Sequence, residues 1–174
     1  MLPDLESWRT CFERRASNPP VIPPMPDDRL PPAERERIGR SLATFQLGEQ
    51  SEGHTLRGLA LRHAQEHGCP DLVPITECFI REEQRHAATL AEYMLAHGLP
   101  LRQREATDRV FRRLRRLAGF ELAVSVLLTA ELMGIQFYRA LLRSTGSRRL
   151  RAICTTFLQD EALHVAYESE LLLA

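Results

Sequence analysis

Four long segments of this chain carry apolar residues at steps of three and four, and each of these stripes is interrupted by carboxylate or imidazole side chains. The steps predict amphipathic helices whose apolar faces are buried against one another. A charged group facing such a core loses its hydration, and packing does not compensate for that loss. The interruptions therefore constrain fold and chemistry together. They are Glu49, Glu52 and His63 in the first segment, Glu82 or Glu83 with His86 in the second, Glu131 in the third, and Glu161 with His164 in the fourth.

Prolines and glycines divide the chain into the four predicted helices. Pro is tolerated in an opening turn and Gly favours a helix end, which sets most of the boundaries. The predicted helices span about 32–68, 72–98, 108–143 and 148–174. Gly119 is a point at which the long third helix can bend or break. Because short connections favour antiparallel neighbours, the sequence predicts an all-α, antiparallel four-helix bundle.

The N-terminal part has a different composition from the rest. Residues 1–16 form a short amphipathic piece around Leu5, Trp8 and Phe12, and residues 17–32 hold seven of the eleven prolines. So many prolines exclude a helix interior or a central strand and predict an extended arm. We therefore divide the chain into a short helix with a Pro-rich arm, residues 1–32, and a bundle, residues 33–174.

Composition excludes several classes of function. The formal net charge is zero, which gives no indication of nucleic-acid binding, and the arginine run over 109–116 is interpreted as a solvated helix face. We expect neither a signal peptide nor a membrane span, and a cytoplasmic location with free thiols. The four cysteines form no Cys-x-x-Cys pair, which disfavours zinc and iron–sulfur modules.

The interruptions have the spacing of metal ligands. Glu83 and His86, and likewise Glu161 and His164, form Glu-x-x-His pairs, whose two side chains share one helix face. Glu131 lies almost as far before its predicted helix end at Arg143 as Glu161 lies after its own helix start near Arg148. In an antiparallel pair, this places the two carboxylates at matching height. Bound cations would neutralise acids that otherwise repel each other.

The first helix supplies one carboxylate, for which the spacing leaves two candidates. Glu49 lies farther before Gly68 than Glu83 lies after it, so the pair is not symmetric about this glycine. Glu52 balances Glu83 better, because the two lie at nearly equal separations from Gly68. Spacing alone therefore leaves both Glu49 and Glu52 open as the ligand from this helix.

The order of one Glu, Glu-x-x-His, one Glu and Glu-x-x-His resembles the ferritin-like di-iron carboxylate proteins over residues 38–171. Phe45-Gln-Leu-Gly-Glu49 is similar to the segment that opens the first helix of rubrerythrins, which favours Glu49. The doubled acids, Glu82-Glu83 and Asp160-Glu161, look like those of acyl-carrier desaturases and N-oxygenases. The chain departs from full rubrerythrins in lacking rubredoxin-like cysteines, and it is shorter than the desaturases.

The resemblance implies two iron ions, as Fe/Fe or Mn/Fe, at a centre that activates O2 or peroxide. That centre would oxidise a small substrate or reduce peroxide, with electrons from an external donor. The alternatives are a ferroxidase or iron-storage protein, and a bundle that has lost its metal. Substrate, donor and the presence of a homodimer stay open. The implied ligands are Glu49, Glu83, His86, Glu131, Glu161 and His164, with Glu52, Glu82 and Asp160 as auxiliary acids or acids that orient the ligands.

Overall fold

The computed structural model describes residues 4–50, 53–102 and 119–173, and every regular element within these ranges is a helix. The prediction of an all-α chain is therefore confirmed. Glu52 and the segment 103–118, with its arginine run and the predicted start of the third helix, lie outside the described residues. The helices are α1 (Leu5–Ser17), α2 (Pro32–Glu49), α3 (His54–His67), α4 (Leu72–Ala96), α5 (Phe120–Ser144) and α6 (Arg148–Leu173).

The single helix predicted over 32–68 is wrong, because this part of the chain forms α2 and α3 with a break between Glu49 and His54. Gly53, which precedes α3, has a φ of 70°, a conformation that L side chains rarely adopt. A Cβ atom at this position would lie 2.5 Å from Cγ2 of Ile80 on α4. Backbone conformation and close packing therefore both require glycine at the break, and Glu49 becomes the last residue of α2.

Gly119 marks the start of α5. Its backbone is extended, with φ of −69° and ψ of 172°, and the helix begins at Phe120. By length and composition alone α5 could cross a membrane, since its most apolar window has a mean hydropathy of 1.5. One third of that window is buried inside the protein, and its middle carries the buried acid Glu131.

The helices enclose two clusters of buried apolar side chains. α5 packs along α6, and α4 contacts α1, α2, α3 and α6. The first cluster includes Leu42 of α2, Leu90 of α4, Tyr138 of α5 and Ile153 of α6, and the second includes Leu59 of α3, Ile75 of α4, Val124 of α5 and Tyr167 of α6. On α4, α5 and α6 the predicted ligands lie between the residues of the two clusters. The polar residues thus occupy a layer across the middle of the helices.

The Pro-rich arm is attached to the turn that joins α5 and α6. Asp28 accepts hydrogen bonds from the hydroxyl of Ser147 and, at 2.8 Å, from the backbone N–H of Arg148. Glu34, in the first turn of α2, accepts the backbone N–H of Gly146 at 3.1 Å. Both carboxylates satisfy donors near the start of α6, where backbone N–H groups lack helical partners.

Candidate metal centre

The structure brings all six predicted ligands together in the polar layer. Two groups of four residues each offer one donor atom per residue, and within a group these atoms lie within 4.8 Å of one another. Donor atoms that share one ion at bond lengths of about 2.0–2.2 Å lie roughly 4 Å apart or less, so each group is close to the dimensions of one ion. The groups are Glu49, Glu83, His86 and Glu161, and Glu83, Glu131, Glu161 and His164.

The two groups have the same composition. Each contains three carboxylates and one imidazole, and Glu83 and Glu161 belong to both. Glu49 completes one group and Glu131 completes the other. This sharing follows from the sequence, because the two Glu-x-x-His pairs lie on α4 and α6, which contact each other. The arrangement is therefore suited to two neighbouring ions.

Several donor atoms in the centre are buried without a hydrogen-bond partner within the described part of the chain. They are Oε1 of Glu83, Nδ1 of His86 and Oε1 of Glu161. Both histidines are fully buried and Glu161 is 1% exposed. Leaving such an atom unsatisfied costs about 1–3 kcal/mol, and more when it is charged. Bound cations would satisfy these atoms, so the donor set fits a metal centre.

Glu82 and Asp160 directly precede Glu83 and Glu161 in the chain. Each of these two acids orients the histidine of the other helix. Nε2 of His86 on α4 lies 3.0 Å from Oδ2 of Asp160 on α6. Nε2 of His164 on α6 lies 2.9 Å from Oε2 of Glu82 on α4. Nδ1 of each ring faces the candidate ligand carboxylates, and Nδ1 of His164 lies 3.1 Å from Oε2 of Glu161. When each Nε2–H donates to its carboxylate and Nδ1 carries no proton, the lone pair of Nδ1 is available to a cation.

Helix α1 supplies a cation to both of these orienting acids. Nε of Arg15 lies 3.2 Å from Oε1 of Glu82, and its guanidinium also pairs with Asp160. Arg85 approaches Asp160 to 3.0 Å. Although burial raises the pKa of both acids, their hydrogen bonds with the histidines and the positive charge of Arg15 hold it below the ordinary value. The acids therefore stay ionised and able to accept from the imidazoles.

The pKa values of several candidate ligands lie far from their ordinary values. Burial, with repulsion from neighbouring carboxylates, raises the pKa of Glu83 well above its ordinary value, and burial raises the pKa of Glu131 to about 8. Burial lowers the pKa of His86, but its hydrogen bond to Asp160 and the negative charge of the neighbouring Glu161 raise it to about 9. The candidate centre thus retains protons that any bound cation would have to displace.

Two further residues belong to the surroundings of the centre without having been predicted as part of it. Tyr138 is fully buried and donates a hydrogen bond of 2.6 Å to Oε1 of Glu49. Glu168 is 2% exposed and its Oε2 has no partner among the described residues. Burial raises the pKa of Glu168 to about 9. Glu168 lies two helical turns after Glu161, on the same inward face of α6. The sequence therefore contains the periodic signal that could have predicted its burial.

A cavity of about 470 Å³ lies beside the centre. It is bounded by residues of α2, α3, α4 and α5, and three candidate ligands, Glu49, Glu83 and Glu131, form part of its wall. His54, at the start of α3, also lines it. The break between α2 and α3 is at this wall, so the feature that sequence reasoning missed is the one that shapes the cavity.

Comparisons of the chain with models of protein families, with curated proteins and with solved structures found no match.

Proposed function

We propose that this protein is a di-iron carboxylate oxidoreductase of the ferritin-like class. The observation that carries the proposal is the pair of donor groups that share Glu83 and Glu161 and contain buried donor atoms with no hydrogen-bond partner among the described residues. Acids at this depth would repel each other, and a pair of cations removes that repulsion. The substrate of the reaction is either a small organic molecule or peroxide.

The helix packing supports the ferritin-like assignment. If α2 and α3 are taken as one interrupted helix, the chain has four helical units in the order α2–α3, α4, α5 and α6. These units contribute one carboxylate, a Glu-x-x-His pair, one carboxylate and a second Glu-x-x-His pair. This is the arrangement of the ferritin-like di-iron and di-manganese bundles.

The donor set favours iron or manganese. Four carboxylates and two imidazoles are hard to intermediate donors, and no thiolate belongs to either group. When bound, an Fe/Fe or Mn/Fe pair would supply the oxidising chemistry that O2 or peroxide makes available. We expect electrons to come from an external donor.

The protein's own residues would hold and orient this pair. Glu83 and Glu161 would contact both ions, and Nδ1 of each histidine would bind one. Glu82 and Asp160 fix the imidazole rings through Nε2, and Arg15 fixes these two acids. Tyr138 holds a proton on its hydroxyl against Glu49. Apolar side chains pack above and below the polar layer.

Anaerobic loading with Fe(II), followed by exposure to O2 or peroxide, tests the proposal. We expect two iron ions per chain and an optical and Mössbauer spectrum that changes on oxidation. Glu83→Ala and His164→Ala should lose bound iron, because each removes a donor from the second group. The matched controls are Glu121→Ala and His67→Ala, since both residues are exposed. Undiminished iron in the first two variants would overturn the assignment.

The rival function as a ferroxidase or storage protein is tested by the same material. A ferroxidase would release its oxidised iron into a mineral, so the iron per chain would rise far above two under aerobic loading. The cavity beside the ligands favours the oxidoreductase, because oxidation of iron alone needs no space for an organic molecule. A stable stoichiometry of two is the result that we expect.

A further inference from the structure

The cavity beside the candidate metal centre has the chemistry of a small-molecule site. Its volume of about 470 Å³ lies within the range of about 300–1,000 Å³ that small-molecule pockets occupy. Most of the wall is aliphatic or aromatic. The apolar lining includes Phe45, Leu56, Phe79, Ile80, Leu127 and Met133.

Three of the polar residues in the wall belong to the centre, and four others, Thr44, Gln50, His54 and Thr55, do not. Glu49, Glu83 and Glu131 line the cavity, whereas neither candidate histidine does. Among the described lining residues there is no lysine or arginine and His54 is the single imidazole, so an anionic group would find no permanently cationic partner there. A molecule in the cavity would lie directly against the ligand carboxylates.

The charge of the loaded centre disfavours cations as well as anions. Its two groups contain four carboxylates and two imidazoles. With two divalent ions bound, the four negative charges are balanced by four positive charges. A cationic molecule would therefore gain little net attraction, and it would lose its hydration on entering an apolar cavity.

Two backbone features lie in the wall of the cavity. α2 ends at Glu49 and α3 begins at His54, and both residues line the cavity. On α5, the lining residue Gly134 has no side chain, and an added Cβ would meet only Tyr138, at 3.8 Å. A larger residue at position 134 is thus accommodated at its Cβ, and its remaining atoms would take up cavity space.

We infer that this cavity binds a neutral, predominantly apolar organic molecule, and that such a molecule is the substrate class of the centre. The inference rests on the proposed function for the chemistry that follows binding, but binding itself can be measured without iron. Burial of the molecule's apolar surface in the cavity supplies the binding affinity. The three carboxylates in the wall mark the end of the cavity that would lie next to the metal ions.

The test uses the neutral fluorescent probe N-phenyl-1-naphthylamine with the full chain, both metal-free and loaded with Fe(II) under anaerobic conditions. We expect binding by the wild type, with displacement by 1-octanol at lower concentration than by octanoate or octylammonium. Preferential displacement by either ion, or no binding of the probe, would overturn the inference.

Variants on α5 locate the probe. Gly134→Leu should weaken probe binding at least about tenfold because it fills the cavity, a loss that corresponds to about 1.4 kcal/mol. Ala130→Leu, at another lining position, is a second variant in case the first does not fold. Ala140→Leu is the control, since Ala140 is exposed on the same helix and does not line the cavity. Equal affinity in the folded lining variants would place the probe elsewhere and refute the inference.

Iron content separates the two proposals. The Gly134→Leu variant should retain the iron stoichiometry of the wild type, because Gly134 is not a candidate ligand. If the wild type binds the probe as expected but takes up no iron, the proposed function fails and the cavity remains a binding site for neutral apolar molecules. If iron binds and the probe does not, the substrate inference alone fails.

Discussion

Two regions of this molecule bury carboxylates, and they do so in opposite ways. At the turn between α5 and α6, Asp28 and Glu34 are each 8% exposed and accept hydrogen bonds from backbone N–H and hydroxyl groups. In the central layer, Oε1 of Glu83 and Oε1 of Glu161 are buried and accept no hydrogen bond from the described residues, although imidazole Nδ1 atoms lie 3.4–3.5 Å away. Burial of an acid is thus common to a structural cap and a candidate metal centre. The difference lies in whether the protein itself supplies the donors.

The largest effect that we expect is stabilisation by metal. Mn(II), which replaces iron without its oxygen chemistry, should raise the free energy of unfolding by at least about 4 kcal/mol at a concentration a thousand times its Kd. Urea denaturation with Mn(II) and with a chelator measures this difference. Glu161→Gln should abolish most of the gain, because Glu161 belongs to both donor groups. An equal gain in Glu161→Gln and wild type would contradict the comparison.

Glu168 is intermediate between the cap and the candidate metal centre. Its Oε2 is buried without a partner among the described residues, but it belongs to neither group of candidate ligands. Its folded pKa of about 9 lies above its ordinary value of 4.5, so its contribution to stability is complete below pH 4.5 and is lost as pH rises towards 9. Between pH 5 and 8, metal-free wild type should lose up to about 4 kcal/mol more stability than Glu168→Gln. Urea denaturation at several pH values measures this, with Glu121→Gln as the exposed control. Parallel stability curves for wild type and Glu168→Gln would show that Glu168 does not titrate as expected.

Arg15 tests how far the centre depends on α1, a helix that contributes none of the candidate ligands. Arg15→Ala removes the cation that the two orienting acids share, and it should weaken Mn(II) binding about 10- to 100-fold, as loss of such supporting groups does elsewhere. Isothermal titration measures the affinity. Arg14→Ala is the control on the same helix. Unchanged affinity in Arg15→Ala would mean that the histidines are oriented without α1.

The smallest effect should come from the cap. Asp28→Ala removes the acceptor for Ser147 and Arg148, and it should lower the free energy of unfolding by about 1–2 kcal/mol. This loss should be the same with and without Mn(II), and the metal stoichiometry should not change. A cap variant that lost metal would show that the two regions are not independent.

The clustering of the candidate ligands on α4, α5 and α6 could be predicted because their signals are local, whereas spacing alone did not separate Glu49 from Glu52. An i, i+3 pair shares a helix face whatever surrounds it, and the apolar stripe shows which face turns inward. The step of two helical turns from Glu161 to Glu168 belongs to the same stripe, so this buried acid was also within reach of sequence reasoning.

The break before α3 and the role of Arg15 could not be predicted in that way. The break depends on Gly53 packing against Ile80, a tertiary contact with no periodic trace in the sequence. Arg15 meets Glu82 and Asp160, which lie far from it along the chain. Among many arginines, nothing in the sequence singles out the one that reaches the centre. Local patterns thus predict the ligands, whereas the groups that shape and support the centre come from long-range packing.

The hydrogen bonds between the Glu-x-x-His segments of α4 and α6 determine how small a part of this site could be grafted onto another protein. A designer who grafted only the Glu82–His86 stretch onto another scaffold would leave its imidazole without Asp160, which lies on α6. The reverse graft would separate His164 from Glu82. The smallest portable unit is therefore the α4–α6 pair, with a guanidinium held over the two acids, and neither motif is a self-sufficient module.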